Sequence, residues 1–400
     1  MATGVLCSRE FALCLACVLL AVPLLVAQDP SSLSLEHYSK TCPNYEHVVR
    51  TEMECAVRAD SRNAALMLRL HFHDCFVQGC DGSVLLDDTA TLIGEKKAEQ
   101  NVNSLKGFEL VDKIKQKLEA ECPGTVSCAD LLAIAARDAV VLVHIRHSIQ
   151  ENMNRQTYIS GITQYTIEKF KHPFHNNYLL PHKIIVSISI LFCLQSCQHV
   201  ELASNQRTVG GPYWDVPVGR LDSKKASLDL ANRDIPTAQQ GLVTLIAKFW
   251  EKGLDATDMV ALVGSHTIGF ARCANFRDRI YGDYEMTTKY SPISQPYLSK
   301  LKDICPLDGG DDNISAMDSH TAAAFDNAYF GTLVNGEGLL NSDQEMWSSV
   351  LGYSTADTVS KYWADADAFF KQFSDSMVKM GNITNPAGGE VRKNCRFVNT

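Results

Sequence analysis

The 400-residue chain carries no surplus of basic charge: 37 lysines and arginines stand against 46 acids, a net charge of −9. Recognition of nucleic acid needs a basic face, so general nucleic-acid binding is excluded. Strand signals are few and short, the clearest being Trp214–Val218, which excludes an all-β class. Long apolar runs are also scarce. The run at 184–192 is too short to cross a bilayer. The run from about Phe11 to Ala27 is at the short limit for a span, follows Arg9, and leads into the polar stretch Gln28–Ser32. That is the pattern of a cleaved secretory signal over residues 1–27, with an uncleaved anchor as the lesser reading. The expected location is therefore extracellular, with no membrane partner.

Cysteine is plentiful, with fourteen in all. Cys7, Cys14 and Cys17 fall in the signal. In an oxidising compartment most of the others should pair. Eight lie in segments that otherwise look ordered: Cys42, Cys75, Cys80, Cys122, Cys128, Cys273, Cys305 and Cys395. Cys55, Cys193 and Cys197 are left over, and spacing alone does not set the connectivity. Two sequons, at Asn313 and Asn382, are glycan acceptors by pattern.

Helical apolar spacing marks residues 46–59, 64–74, 107–121, 127–142, 237–252, 255–262, 318–333 and 364–380, so the class is mainly α. Ser127 is placed as an N-cap ahead of a run of strong helix formers. One region breaks character. Residues 143–209 hold six of the twelve histidines and few acids, with a β-branched run inside. The histidines show no metal-site spacing and read as scattered surface side chains.

The chemistry concentrates in residues 69–83. Arg69, Phe72 and His73 follow the i, i+3, i+4 rule and share one helical face. A guanidinium beside an imidazole lowers its proton affinity and leaves a base ready to accept. His71 points elsewhere on the helix. Asp74, Asp81, Ser83 and the carbonyls between them then offer oxygen after oxygen to a hard cation, without the EF-hand pattern. His266 sits among small residues after an apolar helix, where a large flat cofactor approaches closely. An iron-binding histidine needs its second nitrogen held, and Asp343 is a candidate partner. Thr267, Asp318, Thr321 and Asp326 make a second, weaker oxygen cluster.

These residues resemble the secreted plant haem peroxidases, the class III group. The matching motifs are residues 69–88, Gly94-Glu95-Lys96 with Asn101, 122–130, 210–223, 258–273, 325–329 and 394–396. The resemblance implies a two-lobed, mainly α fold with haem b between distal and proximal helical parts. It implies His73 as distal acid/base, Arg69 as the group stabilising O–O cleavage, Phe72 beside them, and Asn101 orienting His73. His266 becomes the axial ligand with Asp343 as its partner. One Ca²⁺ falls to Asp74, Val77, Gly79, Asp81 and Ser83, with Glu95 through water; a second falls to Thr267, Asp318, Thr321 and Asp326. Pro236, in Ile235-Pro236-Thr237, matches the segment where aromatic donors dock, and Asp130 with Arg220 matches a buried ion pair. The implied disulfides are Cys42–Cys122, Cys75–Cys80, Cys128–Cys395 and Cys273–Cys305. The implied activity is reduction of H₂O₂ to water with one-electron oxidation of small phenolic donors, by a monomer. In that pattern residues 28–142 form the distal part and 210–400 the remainder. Residues 143–209 are then an atypical insertion, either retained intron sequence or a tolerated surface loop. The alternative function is a peroxidase-like calcium-binding protein that lost haem through the insertion. A non-haem metal site using His71 and His73 is a poorer rival, because side chains two apart on a helix diverge.

Overall fold

The computed structural model describes residues 33–143, 210–282, 292–349 and 355–400. The expected signal, most of the 143–209 region, and Cys193 and Cys197 lie outside the described residues.

Helix α1 (Tyr45–Ala59) buries Tyr45, Val49, Met53 and Val57, a four-residue repeat that puts one stripe inward. Helix α2 (Arg62–Phe76) follows after a sharp break at Asp60 and Ser61. After α3 (Phe108–Glu121), helix α4 (Cys128–Leu142) is buried at nearly every position. A helix apolar all round belongs at the centre, and α1, α2 and α3 all pack on it. Its start is capped as expected: Ser127 Oγ accepts from the Asp130 amide at 3.1 Å.

The second half supplies α5 (Leu228–Asp234), α6 (Leu242–Glu251), α7 (Ala256–Val263) and α8 (Arg277–Tyr281). Then follow α9 (Gln295–Ile304), α10 (Ala328–Val334), α11 (Asn341–Ser348), α12 (Thr355–Ala364) and α13 (Ala366–Gly381). Helix α7 opens on a reciprocal cap between Asp255 and Asp258. It packs on α12 and α13, while α10 packs on α11 and α12. One continuous core runs through both groups, and a smaller one surrounds Cys273 and Cys305.

Three expectations are corrected. The 237–252 helix begins only at Leu242, because Pro236 and the turn after it hold the chain extended; the Leu242 amide is received by Glu345 Oε2 at 2.8 Å. The 318–333 helix begins only at Ala328, because Asp318 spends its carboxylate on the loop amides of His320 and Thr321 and Asp326 accepts from the first amide of the helix, that of Ala328. Trp214–Val218 contributes only an isolated bridge from Val218 to Ser34. The described strands are instead β1 (Phe270–Arg272) and β2 (Ile314–Ala316), an antiparallel pair. All four implied disulfides form: Cys42–Cys122, Cys75–Cys80, Cys128–Cys395 and Cys273–Cys305.

Candidate active site and metal centres

Helix α2 brings Arg69, Phe72 and His73 to one face. His73 is buried, and its Nδ1 lies 2.5 Å from Asn101 Oδ1. The amide nitrogen of Asn101 is already donating to the Glu95 carbonyl at 2.9 Å, so its oxygen faces the imidazole. An amide oxygen only accepts, so His73 carries its proton on Nδ1 and keeps a lone pair on Nε2. Arg69 Nε donates to that lone pair at 3.1 Å. The rest of the guanidinium is held by the Gln100 carbonyl at 2.7 Å and by Ser104 Oγ and O at 3.1 and 3.2 Å. Sequence reasoning missed Gln100 and Ser104, since two of the three acceptors are backbone carbonyls, which leave no mark in side-chain type, and a lone serine hydroxyl carries no motif. Burial, and secondarily the Arg69 charge, holds the His73 imidazolium well below the usual histidine range, against a smaller upward effect from Asn101. Burial also brings Arg69 down to about 10, which leaves it cationic at neutral pH.

His266 lies in the short turn Gly264–Thr267 that continues α7. Its Nδ1 lies 2.9 Å from Asp343 Oδ2, in the first turn of α11. Asp343 is buried, and its other oxygen accepts from Ser342 Oγ at 3.2 Å. The carboxylate fixes the proton on Nδ1. The lone pair of Nε2 has no hydrogen-bond partner among the described residues, and the side chain keeps 36% of its exposure. An imidazole with one nitrogen anchored and the other bare and open is suited to a metal. Gly264 lets this turn seat closely: a Cβ there would lie 2.5 Å from Phe369 and 2.9 Å from Phe330. Three residues after His266, Gly269 has φ +105° and brings the chain against Ala65 of α2. Helix α6 joins the two sides, because the Phe249 ring packs on Phe72 and Phe76 at 6.2 and 4.9 Å. Pro236 is half-buried in the turn between α5 and α6.

The loop after His73 gathers three buried carboxylates. Asp74 Oδ2 accepts from the Gly82 amide at 2.9 Å, but its Oδ1 has no partner. Asp81 accepts from the Ser83 amide at 3.0 Å and from Asn385 Nδ2 at 2.6 Å. Glu95 Oε1 accepts from the Ser227 amide at 3.2 Å, while Glu95 Oε2 and Ser83 Oγ are buried without partners. Burial raises all three carboxyl pKa values, Asp74 well above its normal range and Glu95 to about 8, and the charge of Asp81 adds to both. Carboxylates crowded out of water with spare oxygens fit a bound divalent cation. Val77 and Gly79 lie in the same loop. Gly79 must be glycine, with φ +101° and a virtual Cβ only 2.8 Å from the Ile383 carbonyl.

The second cluster is also assembled. Asp326 Oδ1 is 3.3 Å from Thr267 Oγ1 and 3.0 Å from Thr321 Oγ1, which in turn is 3.0 Å from Asp318 Oδ2. Burial raises the Asp326 carboxyl. His71 is not brought to His73. Its ring lies 3.6 Å from Cys75 Sγ, and because Cys75 and Cys80 are joined, no thiolate is available there to hold a metal with it.

The chain matches the Peroxidase family over residues 49–156 and 159–365. It is 50% identical to Peroxidase 11 of Arabidopsis thaliana over 373 residues, covering 92% of this chain and 91% of that relative. Peroxidase 49 of the same plant is 40% identical, with 91% and 90% covered. Peroxidase 4 of Vitis vinifera is 38% identical, with 94% and 95% covered. The chain thus belongs to the peroxidase family, among the plant class III enzymes.

Proposed function

We propose that this peroxidase holds haem b on His266 and two Ca²⁺ ions, and that it reduces H₂O₂ at the expense of small phenols outside the cell. The observation that carries the reading is the pair of imidazoles with opposite preparation. His73 Nε2 is an unprotonated base that accepts from the Arg69 guanidinium, and His266 Nε2 is a bare ligand whose ring is backed by a carboxylate.

The haem, when bound, supplies the iron at which the peroxide O–O bond is broken. His73 takes the proton from the nearer peroxide oxygen on Nε2 and delivers it to the farther one, which leaves as water. Burial and the Arg69 charge lower its proton affinity and so favour the neutral, accepting form. Arg69 lies against the same nitrogen and stabilises negative charge on the departing oxygen. Asn101 fixes the ring and its tautomer. Asp343 holds the Nδ1 proton of His266 and makes the other nitrogen a stronger donor. Pro236 and its neighbours line the approach for phenolic donors. Asp74, Val77, Gly79, Asp81 and Ser83, with Glu95 behind them, hold the first Ca²⁺, directly after His73. Thr267, Asp318, Thr321 and Asp326 hold the second, directly after His266. Each ion therefore braces the segment that carries a working histidine.

The described residues favour nothing for a haem-free binding protein. No described helix is long and apolar enough to cross a membrane. Secretion and the monomeric state rest on the sequence reading and the family. The test is to refold the purified chain with hemin and Ca²⁺ and record its spectrum and its H₂O₂-dependent oxidation of guaiacol. A high-spin ferric Soret band with turnover is expected. A colourless folded protein sinks the proposal.

A further inference from the structure

Tyr329, in the first turn of α10, is a buried phenol with no part in the proton transfers at His73. Helix α10 packs on the short turn that carries His266. The Tyr329 ring stands 6.2 Å from the His266 ring, edge-on at 85°. Thr332 Oγ1 donates to the Tyr329 carbonyl at 2.7 Å, and the side chain is wholly out of solvent. Its hydroxyl is enclosed and makes no hydrogen bond among the described residues. A plain ring packs well in these surroundings: Phe330, the next residue, lies against Tyr329 and Phe369 at 5.4 and 4.9 Å. Phenylalanine at 329 would fill the space without stranding a donor, and a donor left unmade in the interior is costly. The anion beside the hydroxyl is Asp343. Burial most of all, then the charge and nearness of Asp343, raises the Tyr329 pKa well above its ordinary 10. Asp343 already receives His266 Nδ1 at 2.9 Å on Oδ2 and Ser342 Oγ at 3.2 Å on Oδ1. Each carboxylate oxygen has a further lone pair to offer.

We propose that Tyr329 is a positioning residue for the proximal imidazole: in the haem-loaded protein its hydroxyl donates to the Asp343 carboxylate and limits the charge that Asp343 passes to His266. The inference rests on His266 holding the haem, as proposed above. The O–H turns freely about the C–O bond, and hydrogen bonds in catalytic sites often tighten when the site is loaded. A carboxylate that accepts one more hydrogen bond pulls less on the Nδ1 proton of His266. The imidazole then stays closer to neutral, and its Nε2 is a weaker donor. Ferric iron gains more from a strong donor than ferrous iron does, so the hydroxyl raises the ferric/ferrous potential. Asp343 and Tyr329 therefore act in opposite senses on one ligand. Ring and hydroxyl also divide the work, since the ring edge packs on the imidazole while the hydroxyl acts on its partner.

The test uses the full chain loaded with haem and Ca²⁺ and compares the wild type with Tyr329→Phe, Asp343→Asn and the double variant. Tyr329→Phe keeps the ring against His266 and removes only the hydroxyl. It should favour the ferric form about tenfold, a drop of about 59 mV in the one-electron midpoint potential. The iron–imidazole stretch of the ferrous protein should move upward in its resonance Raman spectrum. In the Asp343→Asn background the same substitution should change neither, because the group it acts through is gone. In the wild type, isotope-labelled tyrosine should shift a band of the ferric-minus-ferrous infrared difference spectrum, a readout that needs no variant to fold. Three results overturn the inference and leave the peroxidase reading standing: a haem-loaded Tyr329→Phe with wild-type potential and stretch, an equal shift with and without Asp343, or a difference spectrum without a tyrosine band. A wild type that folds and takes up no haem would instead refute the peroxidase reading, and this one with it.

Discussion

At the scale of single residues, the distal imidazole is prepared by two neighbours that act on different nitrogens. Asn101 sets the tautomer and Arg69 occupies the lone-pair side. Replacing His73 by Leu removes the only base in that position and should slow the reaction with H₂O₂ by about 10²–10⁴-fold in stopped-flow traces. An unchanged rate would remove His73 from the mechanism. His71, two residues away, has a structural role with a pH signature. Burial, helped by the Arg220 charge, lowers its pKa to about 3 from an ordinary 6.5. Below pH 6.5 the unfolded chain takes up a proton that the folded chain refuses. The stability His71 contributes is therefore complete above that pH and is lost progressively as pH falls toward 3. His71→Asn should lose less stability than wild type between about pH 7 and pH 4 in urea unfolding. Parallel losses would show that His71 is not the titrating group. The shared face of Arg69, Phe72 and His73 was legible in the sequence because helical spacing alone aligns them. Asn101 was reached only through the family resemblance, because its oxygen is aimed by a contact of its amide nitrogen to the Glu95 carbonyl, which no spacing reveals.

At the scale of elements, α4 is held by charges brought from far along the chain. Asp130, in its first turn, receives Arg220 Nη1 at 2.8 Å, the Gly219 amide at 2.7 Å and the Tyr38 hydroxyl at 2.6 Å. Asp222 receives the amides of Cys128 and Ala129 at 3.0 and 2.9 Å, where the helix dipole favours an anion. The Asp130–Arg220 pair is buried on both sides, so removing one partner strands the other. Arg220→Met should cost about 3–5 kcal/mol in chemical denaturation. A cost near zero would mean that the loop relaxes to solvate Asp130. The oxygen clusters belong to the same scale, since each closes the segment behind a histidine. Chelation of Ca²⁺ should lower the melting temperature by about 5 °C or more, with recovery on adding Ca²⁺ back. An unaltered melting curve after verified metal removal would assign the buried carboxylates another role. Helix existence was readable from periodicity, but two starts were not. The onset of α6 depends on Glu345 and that of α10 on the loop carboxylates, both partners set by folding.

At the scale of the molecule, the covalent frame ties distant segments together. Cys128–Cys395 spans 267 residues and fastens the C-terminal segment to the start of the central helix. The two edges of the 143–209 region also meet. The Gly211 amide donates to the Val140 carbonyl at 3.1 Å, and Gly210 rests directly on Val141. A chain that leaves and returns at one place can have the intervening residues removed without stretching the body. Deletion of residues 144–209 should therefore give a protein that binds haem and melts at the same temperature or higher, since closing a shorter loop costs less entropy. Failure to fold would make the region part of the core.

The sequence by itself determined the helical class, the histidine–arginine face of α2 and the oxygen-rich loop behind it, because these depend on spacing of a few residues along one helix or turn. Only the tertiary structure decided which nitrogen of each histidine carries the proton and which carboxylate oxygens are left unpartnered. Those properties depend on groups tens to hundreds of residues apart, and only packing brings their dipoles, charges and faces within reach of one another.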